Sequence, residues 1–198
     1  MANVDAAFGL RPVRHISGAP YNGATVKCYI HALYATALFI GDGVIFDTAL
    51  ANKDTTAKCP TIIACTGATA SLIRGVIVSF DPIPTGLQYT YRVASTERWA
   101  NVCMDPDVVY QIQDDGDGTP SKVFPGQNAT IGLVAGSTTT GLSGAVMCST
   151  TATTQAHPLH IIGLADIEDN ELGDHAVWEV LLNTCENVTG RFLGITAA

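Results

Sequence analysis

Nowhere does this chain hold an apolar period of 3.6 residues for the roughly ten residues that an ordinary helix needs. It holds instead a series of short β-branched and aromatic runs punctuated by Gly, Pro, Asp and Asn. Val26–Tyr34 alternates as one strand. Leu38–Ile40 and Val44–Phe46 flank Gly41-Asp42-Gly43, a three-residue connection suited to a hairpin. Ser71–Phe80 stops at Asp81-Pro82-Ile83-Pro84, and Leu87–Val93 sets Leu87, Tyr89, Tyr91 and Val93 against Gln88, Thr90 and Arg92. Val108–Gln113 ends at the turn Asp114-Asp115-Gly116-Asp117-Gly118, and Ala145–Cys148, Leu159–Leu164 and Ala176–Leu182 follow. Ala32–Leu38 and Thr96–Ala100 offer a single helical turn each. The Thr-rich segments 136–144 and 149–154 read as exposed loops or edge strands. This spacing predicts an all-β fold, an antiparallel β-sandwich or barrel of short strands over residues 26–198.

Residues 1–25 differ from the rest. Phe8-Gly9-Leu10-Arg11-Pro12-Val13-Arg14-His15 and Ser17-Gly18-Ala19-Pro20-Tyr21-Asn22-Gly23 have no sustained period, so they predict an extended N-terminal arm. Arg11, Arg14 and Lys27 put three of the ten Lys and Arg residues near this end, whereas the whole chain carries a net charge of −8. Two uses of the arm are open: docking on another protein, or packing as a strand over one end of its own barrel. Docking alone expects that removing residues 1–15 leaves the β domain folded.

The negative charge argues against nucleic acid and anionic lipid as partners. No apolar run reaches the roughly 18–20 residues of a membrane span, and the opening Met1–Asp5 has no cationic region leading into an apolar one. A soluble protein without an export signal is expected. The six cysteines, at 28, 59, 65, 103, 148 and 185, include no Cys-x-x-Cys pair, which suits free thiols in a reducing compartment better than zinc ligation or a disulfide framework. The turn Asp114–Gly118 lacks the ligand spacing of an EF-hand and reads as a solvated β-turn. His157 and His160 fall on opposite faces of a strand, and His175 has no nucleophile partner in the pattern. Nucleophile elbows, phosphate-binding loops, zinc-helix motifs and dinucleotide fingerprints are all missing, so no enzyme activity and no cofactor are expected. A carbohydrate-binding module would need Trp99, Tyr89 and Tyr91 exposed as one platform.

The string Phe8–Arg14 with Gly18–Gly23 after it resembles the opening of a family of small virion structural proteins of tailed bacteriophages. The resemblance continues through Ala35–Asp42, Arg92–Thr96, the stretch from Asp105-Pro106-Asp107 to Gln113-Asp114-Asp115, Gly136–Gly141, and Asp169–Gly173 ahead of Trp178. It covers nearly the whole chain and rests on loop and turn signatures. Residues 183–187 depart from the family, where a more basic or His-containing strand end is expected. The resemblance implies a capsid decoration or cement protein, made in the host bacterial cytoplasm and bound to the exterior of a shell of major capsid protein. A head–tail joining or minor tail protein is the alternative. A homotrimer at threefold lattice positions is the expected self-association, with a dimer second. Phe8, Leu10, Arg11, Pro12 and Arg14 are the expected capsid-binding residues, the apolar pair as anchors and the arginines as partners for carboxylates.

Overall fold

A computed structural model describes residues 3–49, 58–67, 72–84, 86–118 and 122–184. Among them are eleven strands and no helix. The strands are β1 (Arg11–His15), β2 (Val26–Ile30), β3 (Gly43–Phe46), β4 (Ile62–Ala64), β5 (Gly75–Phe80), β6 (Arg98–Cys103), β7 (Val108–Gln113), β8 (Asn128–Gly132), β9 (Val146–Ala152), β10 (Leu159–Leu164) and β11 (Val177–Leu182). They form two antiparallel sheets packed against each other, one ordered β1-β7-β11-β10-β8-β9 and the other β2-β6-β5-β3-β4. The all-β sandwich expected from the turn spacing is the observed fold.

Both sheets curl until their outer strands meet a neighbour. In the five-stranded sheet, the Tyr29 N–H on β2 donates to Pro60 O at 2.9 Å, and Tyr29 bridges Thr61 just ahead of β4. Cys28, Ile30, Leu38, Val44, Ile62, Ile77, Ala100 and Val102 fill the inside of that curl. In the six-stranded sheet the chain leaving β7 bridges β9: Asp115 N donates to Met147 O at 2.9 Å. The larger core lies between the sheets, around Tyr110, Ile112, Ile131, Met147, Ile161 and Trp178, with Ile73, Val76 and Cys103 reaching in from the second sheet. Burial of this apolar surface supplies most of the drive to fold.

Several expected elements move. The chain over 26–34 is a strand only as far as Ile30. Leu38–Ile40 does not pair with β3 across Gly41-Asp42-Gly43: Leu38 bridges Arg92 and Ile40 bridges Leu142. Trp99 and Ala100 belong to β6 and not to a helical turn. The alternating run 87–93 is no strand: two of the carbonyls that a strand would pair, Tyr89 O and Tyr91 O, are taken by the buried Arg98, and Arg92 within the run turns its guanidinium to neighbouring loops. Arg92 is fully buried and donates to Thr96 O (2.8 Å), Thr36 O (2.5 Å), His31 O (3.0 Å) and Tyr34 O (2.7 Å). Arg98 donates to Tyr89 O at 3.0 Å, to Asp81 O at 3.2 Å and to Tyr91 O. Neither guanidinium has a carboxylate in its hydrogen bonds; each is solvated by loop backbone.

Arg92 therefore staples the 31–36 and 92–96 loops together. Replacing it in Arg92→Met keeps the volume but leaves those carbonyls without donors. The expected loss is about 3 kcal/mol of unfolding free energy in urea, with the strand signal in circular dichroism retained below the transition. A loss under about 1 kcal/mol would mean that water satisfies the carbonyls and the staple is dispensable.

Candidate functional site

The N-terminal segment is built into the sandwich. β1 is an edge strand paired with β7, Arg11 opposite Gln111 and His15 opposite Val108, with a bulge at Val13. Its outer side is covered in part by the following turn, where His15 N donates to Ala19 O at 2.7 Å and Tyr21 N to Val13 O at 3.1 Å. Ahead of β1, residues 3–10 lie as a strap across the end of the six-stranded sheet. The Asn3 amide donates to Glu171 O (2.9 Å) and Asp174 O (3.0 Å) and accepts from Glu171 N (3.0 Å). Gln113 clasps the strap from the other side, donating to Val4 O at 2.7 Å and accepting from Ala6 N at 3.0 Å. Each amide offers a donor and an acceptor in one plane, which suits it to hold an extended backbone.

Two glycines let the strap cross the body. Gly9 (φ +72°) and Gly41 (φ +95°) sit where a Cβ on Gly41 would lie 2.5 Å from Phe8 O, and one on Gly9 would lie 2.6 Å from Gly41 O. Only glycine combines that conformation with that approach. Leu10 N donates to Gly41 O (2.9 Å) and Gly41 N to Ile77 O (2.8 Å), so this crossing ties the N-terminal segment to the second sheet.

The expected docking residues divide. Phe8, Leu10, Arg11 and Pro12 form one wall of a surface pocket of about 260 Å³, faced by Tyr21, Ile77, Val78 and Leu142. Leu10 is 1% exposed, so it is floor and core and not a projecting anchor. The Arg11 guanidinium lies 4.7 Å from the centre of the Phe8 ring and donates to Gln111 Oε1 at 2.7 Å. Arg14 is absent from that wall; its Nη2 is 2.5 Å from Glu179 Oε2 on β11, an ion pair inside the sheet.

Beside this pocket, and sharing Leu142 with it, runs a groove of about 500 Å³ lined by Asp5, Asp114, Asp115, Asp117, Val134 and His175 among others. Asp114 is not the solvated turn residue expected. It is fully buried, accepting from Gly116 N (2.9 Å), His175 N (2.8 Å) and Trp178 Nε1 (3.0 Å). Burial raises its carboxyl above the usual range, and these hydrogen bonds pull it back. Asp115 Oδ1 accepts from both the backbone N (3.0 Å) and the hydroxyl of Ser149, capping β9. Those carboxylate oxygens are spent on protein N–H and O–H groups, and among the described residues no group of three or more His, Cys, Asp or Glu is placed to hold a metal ion.

The remaining candidates scatter. Burial lowers the pKa of both His157 and His160, and His160 Nδ1 lies 2.7 Å from Asn128 Oδ1. The aromatics do not make a common platform: Trp99 packs on Tyr29 at 5.0 Å with Lys27 over it, while Tyr91 stacks on Phe39 at 4.9 Å with Tyr89 against its edge. Cys28, Cys59, Cys65, Cys103 and Cys148 are free thiols, and Cys185 lies outside the described residues. Sequence reading missed Asn3, Asp5 and Gln113, because single polar residues in an aperiodic segment carry no spacing signal.

One substitution and a pair of truncations test this arrangement. Asp114→Asn keeps the shape but turns an N–H₂ group toward one of the three donors. We expect a loss of about 2 kcal/mol in urea and a changed Trp178 fluorescence maximum; an unchanged transition would show that the carboxylate is dispensable. Deleting residues 1–15 removes Leu10 from the core and bares β7. At least about 3 kcal/mol should go with it, whereas deleting residues 1–7 should cost about 1 kcal/mol. Equal stability of both truncations would return the segment to the status of a free arm. No family model matches the chain, and no curated protein or solved structure matches it either.

Proposed function

We propose that this chain is a capsid decoration or cement protein of a tailed-phage head, binding the outside of the major capsid protein shell through its strap end. The observation that carries this reading is convergence. The turns and loops in which the sequence resembles phage virion proteins are distant in the chain, yet most of them supply one surface. Phe8, Arg11 and Pro12 come from the first, Tyr21 from the next, Ile40 and Gly41 from the third, Asp115 from the stretch after β7 and Ser137 from the Thr-rich loop. The sixth, around Glu171, holds Asn3 of the strap. Turn motifs brought together on a surface, with the cores left to generic apolar residues, are what a binding role would require.

The rest of the molecule is compatible with that role. Edge closure at Thr61 and Asp115 hinders uncontrolled strand pairing before assembly. The net charge of −8 disfavours contact with packaged nucleic acid. Self-association around a local symmetry axis would let modest contacts act together over a lattice.

The test is the ratio of this chain to major capsid protein in purified virions of the phage that encodes it, measured by quantitative mass spectrometry. A ratio on the order of one chain per capsid subunit is expected for a protein that covers the lattice. A handful of copies per particle would replace this reading with a head–tail joining or minor tail role, and absence from the particle would end both.

A further inference from the structure

We infer that the groove beside the strap receives an extended polypeptide segment of the partner, with Lys or Arg side chains at the acidic end and an apolar side chain seated against Phe8. This deepens the docking reading and rests on it for the identity of the partner, though not for the chemistry of the groove. Three observations carry it.

The first is continuity. The apolar pocket and the larger groove share Leu142, and the consecutive strap residues Ala7 and Phe8 line one each. Together they form a trough longer than either, suited to a chain and not to a compact ligand. The second is excess negative charge. Asp5, Asp115 and Asp117 line the groove, and among the described residues no Lys or Arg does. His175 also lines it, its Nδ1 3.8 Å from Asp5 Oδ1. The backbone that Asn3 clasps, at Glu171 and Asp174, leads directly into His175. An anionic ligand is repelled here and a cationic one is drawn in. The third is polarity along the trough. Arg11 borders the apolar pocket, and Val134, 60% exposed, borders the groove beside the carboxylates. A cation is favoured at the Asp117 end and disfavoured at the Arg11 end, which fixes the direction of the bound segment. A small polyamine would satisfy the carboxylates but leave the apolar seat empty, so a peptide carrying both features is the better match.

The probe is a pair of labelled hexapeptides, each with two lysines and two leucines separated by Gly-Thr, one with the lysines first and one with them last. They are titrated into the full chain by fluorescence anisotropy, beside counterparts in which glutamate replaces lysine or serine replaces leucine. One lysine–leucine order should bind at least about tenfold more tightly than both counterparts. The exposed double variant Asp5→Asn/Asp117→Asn should lose about tenfold and most of the salt dependence. The variant Phe8→Ser should lose affinity with its salt dependence intact. Equal affinity for the glutamate peptides, no effect of the double variant, or no binding of any peptide up to about 1 mM would overturn the inference. The two readings fail separately. A chain abundant in virions yet indifferent to these peptides keeps the capsid role and loses the groove, and a chain absent from virions that binds them does the reverse.

Discussion

A sheet protein with only 14% charged residues has few lysines or glutamates with which to guard its strand edges, so the edges have to be closed by the fold itself. That constraint explains features that otherwise look unrelated. The chain leaving β7 folds over the start of β9, where the Asp115 backbone and carboxylate occupy Met147 O and Ser149 N. Tyr29 on β2 meets the residues ahead of β4 and shuts the second sheet. The turn around Ala19 covers part of β1. Each closure uses a turn rich in Gly, Pro, Asp or Thr, which is why those residues take the place that surface charge holds elsewhere.

Several of the charges that remain are used inside. Arg92 and Arg98 carry the long 81–97 excursion on hydrogen bonds to carbonyls, and Asp114 holds β7, β11 and the His175 turn on hydrogen bonds from N–H groups. A buried ion pair would have to offset two desolvation penalties, whereas a single ion surrounded by backbone dipoles offsets one and leaves no loop polar group unpaired. Excursions without regular strand pairing can then be ordered at low cost in surface. Asp42 follows the same logic at the Gly41 crossing: burial raises its carboxyl, while bonds from Ser143 and from Phe39 N, the latter at 2.8 Å, favour the ionised form.

How much of this was legible in the sequence depends on what each segment pairs with. β7 and β10 match the expected runs at both ends, and β11 at all but its first residue, because they lie inside the six-stranded sheet, where apolar content and pairing coincide. The Thr-rich stretch read as loop or edge strand is the edge strand β9. The failures share a cause. Leu87–Val93 alternates like a strand, but Arg98 takes the carbonyls of Tyr89 and Tyr91, and period-two patterning cannot report a side-chain partner that arrives from nine and seven residues away. Leu38–Ile40 misses its hairpin because Gly41, needed to let Phe8 pass, sends the two flanking runs to different neighbours. At the candidate site, Phe8, Leu10, Arg11 and Pro12 were visible as an unusual string, while Asp115 and Asp117 come from a turn with no spacing relation to it and Asp5, just ahead of the string, carries no pattern of its own.

Under the proposed docking role, the strap would couple recognition to stability in a way a free arm could not. A free arm loses conformational entropy on binding and returns nothing to the fold. Here residues 3–10 are already ordered by Asn3, Gln113 and the Gly41 crossing, so a partner in the trough meets a wall whose ordering cost was met during folding. Any ligand that binds the folded wall and not the unfolded chain stabilises the whole domain through mass action. Because the same wall is tied to both sheets through Leu10 and Gly41, that stabilisation is not confined to the strap but reaches the core between the sheets. In the proposed shell-reinforcing role such a linkage would be a gain, since the contact that holds the protein in place would also add to its own folding free energy.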